Sequence, residues 1–148
     1  MKVLIINGPN LNMLGKRDQS LYGHASLEEI QKSIQVKAES LSVDVVFFQS
    51  NSEGELIDFI QSYHSLVDGV IINPGALTHY SIALRDALED AAVPVIEVHI
   101  SNIYAREVWR HYSVIAPIAA GQISGLGTMG YLVGLDCLVS LIHEGSHK

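Results

Sequence analysis

Only one cysteine, Cys137, occurs in the 148 residues. No internal disulfide can form, so a reducing, cytoplasmic setting is expected. Basic residues are scarce as well: nine Lys and Arg stand against sixteen Asp and Glu, for a formal net charge of -7. Nucleic acid and anionic membranes are therefore not expected as partners. No apolar run reaches the length of a membrane span. The first residues, one Lys and a short apolar run, are too short for a secretory leader. Internal repeats and low-complexity linkers are absent, so the expected organisation is a single domain over residues 1–148. Nearly half the residues are apolar, enough for a sizeable core.

The apolar residues fall in a regular order. Lys2-Val3-Leu4-Ile5-Ile6 reads as a buried strand, stopped by Gly8-Pro9. Ser26-Leu27-Glu28-Glu29 is a capping box, followed by Leu27, Ile30, Ile34, Ala38 and Leu41 on one helical face. Residues 43–48 read as a second strand, and Ser52 to Glu55 repeats the capping pattern ahead of a second helix. Residues 69–73 form a third strand, residues 80–92 a third helix and residues 94–99 a fourth strand. Residues 114–118 are taken as the fifth strand, and residues 129–142 as the last helix. Strands alternate with helices and are apolar on both faces, which predicts a parallel sheet covered on both sides. Five strands in a chain of this length favour an α/β, flavodoxin-like, doubly wound sheet over a barrel of about 250 residues. In such a sheet the site lies in the loops after the strands, here beginning at Asn7, Gln49, Asn73, His99 and Ala119.

Two strings imitate cofactor sites. Gly125-Leu126-Gly127-Thr128-Met129-Gly130 matches a dinucleotide fingerprint, but no strand with an acidic residue follows it. A glycine-rich loop packed against the sheet or a subunit neighbour is the expected reading. His143-Glu144-Gly145-Ser146-His147 matches a zinc-protease string, but it ends the chain without a third ligand, and Gly145 and Ser146 weaken the helix it needs. No metal site is expected.

A different constellation carries chemistry. Glu97 and His99 are two apart on a strand and so share a face, where the carboxylate fixes the tautomer of the imidazole. Ser101, Arg106 and Arg110 follow, an arrangement suited to a carboxylate. Asn73 and His79 end the neighbouring strand, and the first loop adds Asn12, Arg17 and Tyr22. A tyrosine beside a cation can serve as a base, because the cation stabilises phenolate. Together these residues predict a polar crevice for proton transfer on a small hydroxylated acid, an elimination or an isomerisation.

Several stretches resemble type II 3-dehydroquinate dehydratases. They are residues 7–17 with Tyr22-Gly23, Phe48-Gln49-Ser50-Asn51, Asn73-Pro74-Gly75-Ala76 with Thr78-His79, residues 97–102, and Gly125-Leu126-Gly127. The resemblance runs from Asn7 to about Leu135. It implies a flavodoxin-like fold and reversible trans elimination of water from 3-dehydroquinate in the shikimate pathway, with no cofactor. On the family pattern Tyr22 takes the proton beside the ketone and Arg17 holds it as phenolate. Asn12 or Asn73, with an ordered water, meets the enolate oxygen, and His99, oriented by Glu97, protonates the leaving hydroxyl. Asn73 and His79 bind substrate hydroxyls. The Ile100 and Ser101 N–H groups and Arg110 take the carboxylate, and Arg106 acts on the lid, the segment of the first loop from Arg17 to Tyr22. Asp86 reaches a neighbouring subunit's site, since the family assembles trimers into dodecamers. The chain departs from the pattern at Gln19, where a Pro commonly stands, and Tyr80 and Trp109 are bulkier than some members carry. The competing reading is a non-catalytic flavodoxin-like module. A phospho-acceptor version would need acidic residues at the strand ends, and an FMN version a Ser/Thr/Gly phosphate loop after strand one.

Overall fold

A computed structural model describes residues 1–145. Its strands are β1 (Lys2–Asn7), β2 (Asp44–Gln49), β3 (Gly69–Asn73), β4 (Val95–His99) and β5 (Gly121–Ser124). The helices are α1 (Gln19–Tyr22), α2 (Leu27–Ser40), α3 (Glu53–Ser62), α4 (Ile82–Asp90) and α5 (Met129–Gly145). The five strands pair in parallel in the order β2-β1-β3-β4-β5, the flavodoxin-like arrangement.

Alternation along the strands sorts side chains between two cores. Val3, Ile5, Ile71, Ile96 and Val98 point to the layer of α2 and α5, where Ile34, Tyr131 and Leu135 meet them. Leu4, Ile6, Val70, Ile72 and Val95 point to the layer of α3 and α4, against Leu56, Leu84 and Leu88. Continuing each pattern to the strand ends sends Asn7 and Asn73 toward α5, and Glu97 and His99 toward the other layer. The polar residues at the strand ends are thus aimed by the same period that buries the apolar ones.

The capping box at Ser26 forms completely: its hydroxyl accepts from Glu29 N and the Glu29 carboxylate accepts from Ser26 N. At Ser52 only half forms, because the Glu55 carboxylate turns to the Ser50 hydroxyl. Helix α4 is shorter than the sequence pattern implies. Residues 75–79 make a separate turn of 3-10 helix, and Ser81 caps Leu84 N.

The fifth strand is where the sequence reading fails. Residues 114–118 are not a strand: Ala116–Ile118 is a 3-10 turn, and β5 comes later, at Gly121–Ser124. The reason is Pro117, which lacks a ladder donor and sits in the first turn of the 3-10 segment. Val114 and Ile115 are buried as expected, but as part of a loop under α4.

At the switch point between β1 and β3, Gly8 N donates to the Asn73 carbonyl at 2.8 Å. A Cβ on Gly8 would lie 2.4 Å from the Pro74 carbonyl oxygen. Gly8→Ala is expected to cost ~1–3 kcal/mol through this clash. It should also lower turnover, because the two site loops must part. Urea unfolding and steady-state kinetics check both; full stability and activity would show that the loops are not held by this approach.

Candidate active site

The loops after β1, β3 and β4 enclose a cavity of about 130 Å³. Arg17, Tyr22, Asn73, His79, His99, Ile100, Ser101, Arg106 and Arg110 all line it. A larger groove of about 510 Å³ runs between β5 and α5, but among the described residues its lining holds no His, Arg or Lys. Chemistry, not size, picks out the first.

Tyr22 ends the short helix α1, which Asp18 caps through Ser20 N. Its phenolic oxygen accepts from two guanidinium groups, Arg17 Nη2 at 3.2 Å and Arg106 Nη1 at 2.9 Å. Arg17 also stacks over the ring, 4.1 Å from its centroid. Charge developing on that oxygen would be met by two cations at hydrogen-bond distance. Arg106 further donates to the Ser101 hydroxyl at 3.2 Å, tying the lid to the end of β4.

Across the cavity, His99 Nε2 lies 2.6 Å from Glu97 Oε1, and Glu97 is fully buried. A carboxylate so placed must be hydrogen-bonded. Thr78, Ser113 and Gln122 side chains donate to its two oxygens, in addition to His99. Burial alone would raise the Glu97 pKa. The bond and charge of His99, with the Thr78 and Ser113 hydroxyls, outweigh burial and hold it below the ordinary carboxylate value. The unfolded chain therefore takes up this proton first as pH falls. Stability from Glu97 is complete above the ordinary value and is lost as pH drops through the lower folded one. Glu97→Gln should cost about 3 kcal/mol at neutral pH, since an amide turns a donor toward donors. It should also flatten the acid limb of a stability–pH curve. Urea titrations across the acid range test this, and an unchanged limb would count against it.

His79 Nδ1 lies 2.7 Å from the Tyr112 carbonyl, so it carries the proton and leaves Nε2 as an acceptor. Burial lowers its pKa, and the charges of His99 and Arg110 add to this against the Tyr112 carbonyl and Glu97. His79 thus stays neutral at pH 7. Trp109 packs edge-on against His79 and lies under Arg110, whose guanidinium also binds Glu107 at 2.7 Å.

The family model described as Dehydroquinase class II matches residues 1–139. This chain belongs to that family. It is 57% identical over 146 residues to a 3-dehydroquinate dehydratase of Halothermothrix orenii, covering 99% of each chain. The type II dehydroquinase of Butyrivibrio crossotus superposes with a TM-score of 0.91 at 48% identity, over 94% of this chain and 97% of that one. That of Propionibacterium acnes gives 0.90 at 40% identity, over 94% and 96%.

Within this class II dehydroquinase the cavity gathers most, but not all, of the residues singled out in the sequence. Asn12 is exposed in the 3-10 turn Leu11–Met13 and does not line the cavity, whereas Asn10 does. Asp86 is exposed on α4, away from the cavity of its own chain. Thr78, Ser113 and Gln122 complete the shell of Glu97; Thr78 stood in the sequence only as a motif residue without a role, and Ser113 and Gln122 escaped sequence reasoning. Gln122 was hidden by the misplaced fifth strand, although its register opposite Glu97 follows once β5 is set correctly. Ser113 carries no local signal. Of the string at 125–130, residues 125–128 are a turn whose Gly125 and Gly127 N–H groups bond to the His99 and Ile100 carbonyls, and Met129 and Gly130 begin α5. The turn packs against the sheet. Of the zinc-like string, residues 143–145 lie in α5, while Ser146 and His147 are outside the described residues.

Proposed function

We propose that this chain removes water from 3-dehydroquinate to give 3-dehydroshikimate, with Tyr22 as base and His99 as acid. The observation that carries the reading is the phenolic oxygen between two cations, facing an imidazole backed by a buried carboxylate across one cavity. Tyr22, as phenolate, takes the proton beside the ketone, and the electron pair moves into an enolate. Asn73, the one of the two candidate amides that lines the cavity, donates to the enolate oxygen. A preorganised donor of this kind contributes about 3 kcal/mol. The enolate then re-forms the ketone and expels the hydroxyl, which leaves as water with a proton from His99. The neutral His79 accepts from a substrate hydroxyl through Nε2. The Ile100 and Ser101 N–H groups and Arg110 hold the carboxylate.

Asp86, exposed outside its own cavity, serves the site of a neighbouring copy, consistent with trimers assembled into a homo-dodecamer. The reaction belongs to the shikimate pathway of aromatic biosynthesis, and the single cysteine fits a cytoplasmic enzyme. Among the described residues no helix is long and apolar enough to cross a membrane. The test follows the absorbance of the enone product after addition of 3-dehydroquinate without metal or cofactor. No rise would overturn the reading. Borohydride added with substrate should leave activity intact, because no lysine imine forms; inactivation would point to a different mechanism.

A further inference from the structure

We propose that Tyr131 is a positioning residue for the dehydration, its hydroxyl fixing the Asn73 amide so that one Asn73 N–H is presented to the cavity. The inference rests on the reading of Asn73 as the donor to the enolate oxygen. Tyr131 lies in the first turns of α5, fully buried beneath the sheet. A Phe would fill the same space without burying a hydroxyl, which is costly unless bonded. Here the hydroxyl bridges two strand ends. It donates to Asn7 Oδ1 at 2.6 Å and accepts from Asn73 Nδ2 at 3.0 Å.

Asn7 and Asn73 are register neighbours across β1 and β3, so a single oxygen reaches both. Burial pushes the Tyr131 phenol well above its ordinary value, so it keeps its proton. With that proton committed to Asn7, the oxygen can only accept, and only the NH2 side of Asn73 fits against it. Gly75 N donates to Asn73 Oδ1 at 3.2 Å, which fixes the other end of the amide. The second Asn73 N–H is then the one left for the cavity that Asn73 lines. The start of α5 is itself anchored, since the loop before it bonds to the His99 and Ile100 carbonyls.

The test is a double-mutant cycle on the full-length enzyme with 3-dehydroquinate: wild type, Tyr131→Phe, Asn73→Ala and the double variant. Tyr131→Phe should lose on the order of tenfold in kcat, part of what an oriented donor supplies. Its KM should stay within about threefold, because the lost interaction is made mainly in the transition state. The double variant should be no slower than Asn73→Ala, since Tyr131 acts only through Asn73. A folded Tyr131→Phe with wild-type kcat beside a slow Asn73→Ala overturns the positioning role, and so do effects that multiply. A wild-type kcat for Asn73→Ala overturns instead the role given to Asn73, and the inference falls with it. Should Tyr131→Phe not fold, Asn7→Ala replaces it in the cycle. Removing the acceptor frees the hydroxyl to turn, so kcat should fall in the same non-multiplying way, and an unchanged kcat overturns the proposal.

Discussion

Tyr22→Phe is expected to lower kcat by about 10⁴-fold, the upper range for loss of a positioned base, while substrate binding stays near wild type. The ring keeps its stacking with Arg17, so the local packing survives. Only the oxygen is lost, and with it the acceptor for Arg17 and Arg106. Both guanidinium groups are then free to meet the substrate carboxylate or water. Binding therefore need not weaken, and it can tighten. Isothermal titration with substrate, alongside single-turnover kinetics, separates the two terms. A Phe variant with a rate near wild type would remove Tyr22 from the chemistry and leave the two arginines without an evident purpose. Weakened binding with an unchanged rate would make the phenol a binding group only.

The sequence made these partners legible to different degrees, and the differences have physical causes. Glu97 and His99 could be paired because a strand has period 2 and nothing intervenes between them. The same period put Asn7 and Asn73 at the ends of apolar strands, where a buried amide stands out. Arg17 and Tyr22 are five apart in one loop, so their contact was within local reach. Arg106 and Tyr22 are 84 residues apart, and their bond depends on how the lid folds over the end of β4. From the sequence Arg106 could be assigned only to an anion site with Arg110 and, through the resemblance, to the lid, not to a bond with Tyr22. Residues 114–118 are apolar for a different reason than strand pairing: they fill the space under α4. Apolarity alone cannot separate a buried loop from a buried strand, and Pro117 was the signal that could have done so. Gln19, the departure in the lid, starts α1 and reaches the Gly15 carbonyl at 3.4 Å, so the segment still closes a turn without proline.

The second large effect separates the two proton transfers. His99→Ala is expected to lower dehydration by about 10³-fold, within the range for loss of a general acid. Exchange of the proton beside the ketone should continue. Tyr22, Arg17, Arg106 and Asn73, which carry the first proton transfer in the proposed mechanism, are untouched by the change. In deuterium oxide the bound substrate should therefore lose its proton signal while little product forms. The variant should fold, because Thr78, Ser113 and Gln122 continue to donate to Glu97 after the imidazole is removed. Tyr22→Phe, by contrast, should lose exchange and dehydration together. Proton NMR of 3-dehydroquinate with each variant distinguishes the cases. If His99→Ala lost exchange as fully as dehydration, the enolate would have no independent lifetime. Proton removal and hydroxyl departure would then be one event, and the oxyanion role of Asn73 would lose its basis.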